Sequence, residues 1–125
     1  MKHKLTITGV LPGLNEYINA ERGRAGKYKA AQMKKQAEHI IGFMIKAQLR
    51  KVTFTKPVRI HYLWIEPNRR RDKDNICFAK KFIQDALVRM KVLKNDGWNE
   101  IEGFTDSFSV DSKNPRVEIV IEEVD

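Results

Sequence analysis

A single cysteine, Cys77, in a chain of 125 residues excludes an intrachain disulfide. A reducing, cytoplasmic setting is the simplest reading of so little cysteine. No run approaches the roughly 18 apolar residues needed to cross a bilayer, so no membrane segment is expected. The opening Met1-Lys2-His3-Lys4-Leu5-Thr6-Ile7-Thr8 is basic but then alternates. It lacks the continuous apolar stretch of a secretory signal. His3, His39 and His61 are scattered, with no spacing suited to zinc. The Gly23-Arg24-Ala25-Gly26 stretch fits neither kind of glycine-rich nucleotide-phosphate loop. Internal repeats, low-complexity tracts and domain linkers are also missing.

What is present is enough for a core. Hydrophobic residues make up 42% and charged residues 32%, a balance that excludes a disordered polymer. At this length one domain, 1–125, is expected, burying roughly two-thirds of its unfolded surface. The 24 Lys+Arg exceed the 16 Asp+Glu, for a formal charge of +8. Such an excess favours a polyanionic partner, because each lysine or arginine that neutralises a phosphate releases a counterion. The basic residues cluster: Arg22, Arg24, Lys27 and Lys29; then Lys34, Lys35, Lys46, Arg50 and Lys51; then Arg69-Arg70-Arg71 with Lys73, the densest. Acidic residues gather near the end, at Glu118, Glu122, Glu123 and Asp125.

Periodicity gives the elements. Lys4–Val10 alternates and reads as a strand, which Leu11-Pro12-Gly13 breaks. Asn15 to Gly26, with its asparagines and glycines, reads as a long irregular basic loop. From about Tyr28 to Arg50, Met33, Ala37, Ile40, Met44 and Gln48 form a helical stripe widened by Ile41 and Ile45. Lys34, Lys35, Glu38 and Lys46 would face water. Val58–Glu66 is the clearest strand, with Val58, Ile60, Tyr62 and Trp64 on one side. A second helix is expected from Asn75 to about Lys91, with Ile76, Ala79, Ile83, Ala86, Leu87 and Met90 on its apolar face. Strands near Thr105–Val110 and over Arg116–Ile121 complete the chain. The order β-α-β-α-β-β predicts an α/β (α+β) domain with a mixed sheet and two helices.

The chemistry concentrates in Arg69-Arg70-Arg71-Asp72-Lys73-Asp74-Asn75. Two carboxylates at i and i+2 of an extended segment share one side. Held together they repel, and a hard divalent cation such as Mg²⁺ relieves that repulsion while keeping waters that a substrate phosphate displaces. The competing reading makes Asp74 an ordinary helix N-cap and Asp72 a charge balance for three arginines. Asp96, in Lys94-Asn95-Asp96-Gly97-Trp98, is a third acid. A helix of about 17 residues, roughly 25 Å long, stands between. Asp96 reaches the pair only if the chain doubles back or if a second copy supplies it.

Arg70-Arg71-Asp72-Lys73-Asp74-Asn75, then Gln84-Asp85-Ala86-Leu87, then Val92-Leu93-Lys94-Asn95-Asp96, resembles the RusA family of Holliday-junction (crossover-junction) endodeoxyribonucleases, small proteins common in phages and prophages. Leu11-Pro12-Gly13-Leu14-Asn15-Glu16-Tyr17 is similar to that family's loop after its first strand. The resemblance implies a homodimer that binds four-way DNA junctions and nicks two strands symmetrically with Mg²⁺ or Mn²⁺. It implies metal-binding carboxylates at Asp72, Asp74 and Asp96, and a catalytic lysine at Lys80, with Lys81 second. Asn95 departs from the family, some of whose members carry an acid there. Arg69, Arg70, Arg71 and Lys73 would hold flanking phosphates, and the loop from Asn15 through Arg22, Arg24 and Lys27 would add backbone contacts.

Phe78 and Phe82 fall almost opposite the apolar face of the second helix, and a dimer interface is the reading preferred for them. Trp98 is expected to pack beside its turn rather than stack on a base. Tyr62 and Trp64 are expected in the core, and Cys77 as a small buried thiol. The sequence therefore predicts a dimeric Mg²⁺-dependent junction endonuclease. A catalytically silent junction-binding protein is the rival, and a structural RNA-binding protein the third possibility.

Overall fold

A computed structural model describes residues 1–125. The alternating stretches become strands β1 (Lys2–Thr8), β2 (Val58–Glu66), β3 (Ile101–Val110) and β4 (Arg116–Glu123). They form one sheet in the order β1-β4-β2-β3. β4 runs antiparallel to both β1 and β2, whereas β2 and β3 are parallel, with Tyr62 beside Asp106 and Trp64 beside Phe108. The sheet is mixed, as the sequence predicts. Period two puts Leu5, Ile7, Val58, Ile60, Tyr62, Trp64, Val117, Ile119 and Ile121 in one buried layer. The opposite face is polar and cross-linked: Lys4 meets Glu118 at 3.0 Å and His61 meets Glu122 at 2.8 Å. β3 starts four residues before the predicted Thr105, and β1 ends two before Val10, where Gly9 turns the chain at φ 90°.

Four helices, not two, cover the buried face: α1 (Leu14–Arg22), α2 (Gly26–Gln48), α3 (Lys73–Cys77) and α4 (Lys80–Arg89). The predicted irregular loop from Asn15 to Gly26 is thus mostly α1. Leu14, Tyr17 and Ile18 share a face, and the Glu16 carboxylate accepts the Gly13 N–H at 2.8 Å, closing the first turn. Asparagines make this a poor helix alone, so its stability comes from docking. Tyr17 lies 5.5 Å from the Phe78 ring and 6.2 Å from the Phe82 ring. Phe82 is consequently only 1% exposed. The reading of Phe82 as an anchor between subunits is corrected: a helix of its own chain covers that face, and Phe78 is half-buried under the same tyrosine.

α2 buries the predicted stripe on its Ile41 and Ile45 side, rotated so that Ile40 and Gln48 face outward. Ala30, Ala37, Ile41 and Ile45 are buried, while Ile40 is half exposed. The adjacent pairs Ile40-Ile41 and Met44-Ile45 offer two overlapping stripes, and the one lined by small alanines packs closer. That rotation buries Glu38 to 4% exposure, contrary to expectation, where it meets Arg89 of α4 at 3.3 Å.

The single predicted helix after Asn75 is bent. Between α3 and α4 the N–H groups of Ala79, Lys81 and Phe82 bond three residues back rather than four, at 3.0 to 3.3 Å. At its far end, Lys91 takes a left-handed φ of 63°. The Lys91 N–H reaches the Val88 carbonyl and the Val92 N–H reaches the Leu87 carbonyl, both at 3.0 Å. This is a Schellman turn, which reverses the chain and returns residues 94–100 toward α4. No helix is long and apolar enough to cross a membrane.

Candidate functional site

β2 and β3 end side by side at Glu66 and Val110. Beyond those carboxyl ends, where parallel α/β sheets place their ligands, lies a cleft of about 860 Å³. The start of α3 forms one wall with Asp72, Lys73 and Asp74, and Arg69 and Ser109 also line it. The predicted carboxylate pair therefore shares one cleft, although the backbone differs from expectation. Asp72, not Asp74, precedes the first helical turn, and its side chain makes no capping bond. Asp74 sits inside that turn, accepting only the N–H of Asn75 at 2.9 Å. Neither carboxylate enters any ion pair of the chain. Both are exposed, so no helix-capping bond or ion pair of the fold occupies them.

The three arginines before them differ. Arg69 lines the cleft and Arg70 is exposed. Arg71 turns inward, with Nε and Nη2 each 2.9 Å from the two Glu66 oxygens. Its Nη1 donates to the Leu11 carbonyl at 3.1 Å and lies 3.4 Å from Glu16. Burial works against the Arg71 charge, but Glu66, with Glu16 behind it, raises the guanidinium above its ordinary value. Nearby, the Asn75 side chain accepts the Asn15 N–H at 2.8 Å. A Cβ at Gly13 would fall 2.5 Å from Asn75 Oδ1 and 2.8 Å from Arg71 Nη1. The Leu11–Glu16 segment and the Arg71–Asn75 segment, sixty residues apart, are thereby locked together. Asn15 contributes its backbone to this lock and leaves its side chain exposed.

The two lysine candidates lie outside the cleft lining. Lys80 donates to Asp106, whose other oxygen accepts the Trp64 indole N–H at 2.8 Å. Its ammonium stands 3.9 Å from the centroid of the Phe104 ring. Asp106 escaped sequence reading. Its signal is an acid at the apolar-facing period of β3, between Phe104 and Phe108. Cys77 lies near both Lys80 and Asp74: burial pushes its thiol up, Asp106 adds to that, and Lys80 opposes it. Lys81 is exposed and pairs with Asp85 at 3.1 Å and Asp96 at 3.8 Å. Hydrogen bonding to Asp85 raises the Lys81 ammonium, against slight burial. So the chain does double back, but it brings Asp96 to α4 rather than to Asp72 and Asp74. No three carboxylate, imidazole or thiol groups converge on a point suited to a metal ion.

Asp72 and Asp74 nevertheless fit Mg²⁺ by their chemistry. That ion takes one or two carboxylates and leaves its other positions to water and substrate phosphate. Lys73 and Arg69 on the same cleft supply positive charge for such a phosphate; Lys73 lies 5.6 Å over the Phe108 ring. Arg22, Arg24 and Lys27 are exposed around the α1–α2 junction and unpaired. No family model matches the chain, and no curated protein matches it.

Proposed function

We propose that the protein is a metal-dependent, structure-selective DNA endonuclease that resolves four-way junctions as a homodimer, the activity its motif resemblance implies. The observation that carries the reading is the pair Asp72 and Asp74. Both are free of capping and ion pairing, and they share a cleft with Arg69 and Lys73 at the carboxyl ends of parallel strands. Carboxylates beside phosphate-binding cations weaken simple backbone binding, so their presence there favours a metal role over pure binding. Bound Mg²⁺ or Mn²⁺ would activate water and stabilise the leaving oxygen. Asp72 and Asp74 would hold it. Arg69 and Lys73 bind and orient the flanking phosphates, fixing the strand in register without reading its sequence. The resemblance assigns the catalytic lysine to Lys80, which Asp106 and two aromatic rings hold outside the cleft lining.

The homodimer assignment has its own support. β3 is an edge strand of ten residues with no lysine or proline, and it exposes Phe104 and Val110. Such an edge is a template for pairing with another strand, and two copies meeting there would present two clefts for paired cuts.

A silent junction-binding protein is favoured by one observation, the engagement of Asp96 with Lys81 away from the other acids. Asp74→Asn separates the readings. It should abolish metal-dependent nicking while keeping or tightening junction binding, because a charge that repels phosphate is removed. Cleavage that survives Asp74→Asn would overturn the metal role.

A further inference from the structure

A second site lies at the opposite end of the parallel pair, roughly 26 Å along β2 from the acidic cleft. Trp98 is 99% exposed, contrary to the packing role the sequence favours. A turn presents it: the N–H groups of Glu100 and Ile101 both reach the Gly97 carbonyl, at 3.2 and 3.0 Å. The flanking residues Lys94, Asn99 and Glu100 line a cleft of about 810 Å³ together with Lys56 and Lys91. The three lysines are exposed, and none is ion-paired within the chain; Glu100 is the one carboxylate among the lining residues. Lys91 holds the left-handed Schellman position that glycine ordinarily takes, and Thr53 Oγ1 bonds its carbonyl at 3.0 Å. A lysine held where backbone geometry disfavours it places one more charge on the cleft that Asn99, next to Trp98, also lines.

We infer that Trp98, with Lys56, Lys91 and Lys94, is a binding site for unpaired DNA. The indole face stacks on a base, and the ammonium groups meet the adjoining phosphates. Paired bases inside a duplex offer no free face, so the site selects single-stranded or branch-point nucleotides. The inference deepens the nuclease reading and rests on it for the identity of the substrate, but the binding is tested without cleavage.

The experiment titrates the full chain with a short oligothymidylate in EDTA while following tryptophan emission. Trp64 is buried and bonded to Asp106, so the solvent-exposed emission belongs to Trp98. The inference predicts quenching of that emission. Trp98→Ala should bind about tenfold or more weakly, and Trp98→Phe should recover most of the loss. Lys56→Gln and Lys94→Gln should each reduce the salt slope of binding by about 0.7. Unchanged emission, or equal affinity for Trp98→Ala, would overturn it. Tighter binding of oligouridylate would overturn the assignment to DNA. Loss of self-association in Trp98→Ala with nucleic-acid affinity intact would instead make Trp98 a protein contact. The titration is read in EDTA, where no cutting is expected, whereas junction nicking is read separately in Mg²⁺, so failure of the nuclease reading and failure of this one give different results.

Discussion

Arg69, Arg70 and Arg71 are chemically identical neighbours, yet only Arg71 is committed to the fold. Its two bonds to nearly buried Glu66 mean that Arg71→Ala leaves a carboxylate without its partner, at a cost of about 3 kcal/mol. Arg70→Ala, in contrast, should change stability by less than about 0.5 kcal/mol while weakening DNA binding. Urea unfolding beside a binding titration checks both, and equal stability losses for the two variants would contradict the assignment. Gly13 is constrained in a different way, by close approach: Gly13→Ala forces Asn75 or Arg71 to move, an overpacking cost of about 2 kcal/mol. The sequence displays the arginine run and the Asp-X-Asp-Asn block. Which arginine points inward depends on Glu66 and on a carbonyl sixty residues away, and no local pattern encodes that. Lys80 with Asp106 is hidden for the same reason, since each finds its partner only once β3 lies beside β2.

At the scale of elements, what was legible followed period. The alternation over Val58–Glu66 matches β2 residue for residue, and that over Arg116–Ile121 matches most of β4, because strict alternation has only one solution. α1 reads as an irregular loop because its apolar face is short and becomes stable only against Phe78 and Phe82. The bend at Phe78 and Ala79 leaves no mark in the periodicity because both segments it joins are helical. Asp72 and Asp74 line one cleft although the backbone there differs from the expected extended segment, since the start of α3 keeps both residues near its end. The two sheet edges behave differently. The Gln48 side chain bonds both the N–H and the carbonyl of Thr6 at 2.7 Å, closing part of the β1 edge. β3 has no such cover in the ion pairs and bonds of its outer edge. The proposed homodimer therefore predicts that Ser107→Lys on that exposed edge shifts the protein toward monomer in sedimentation; an oligomeric state unchanged by the substitution would exclude β3 as the interface. At the end of α4, Lys91→Gly should raise stability by about 1 kcal/mol by relieving the left-handed lysine. Thermal unfolding checks this, and a loss of stability would contradict it.

The whole molecule combines a charge of +8 with an acid-sensitive sheet face. Lys4 and then Arg116 hold the Glu118 carboxyl below its ordinary range, and His61 does the same for Glu122. Backbone N–H groups of Lys113 and Asn114 lower Asp111. With folded values depressed, the unfolded chain takes up protons first as pH falls. This stabilisation is fully present above the ordinary carboxylate range and is lost as pH falls through the depressed folded values. The melting temperature should fall across that window, and Glu118→Gln should flatten the fall. An identical pH slope in wild type and variant would remove Glu118 from the account. The proposed activity is a junction-specific, metal-dependent cut. Its most direct test mixes wild-type protein with an end-labelled four-way junction and a matched linear duplex, in Mg²⁺ and in EDTA. Paired, symmetric nicks are expected on the junction alone and only with metal. Tight junction binding with no cutting in Mg²⁺ or Mn²⁺ would contradict it and make the protein a silent junction binder.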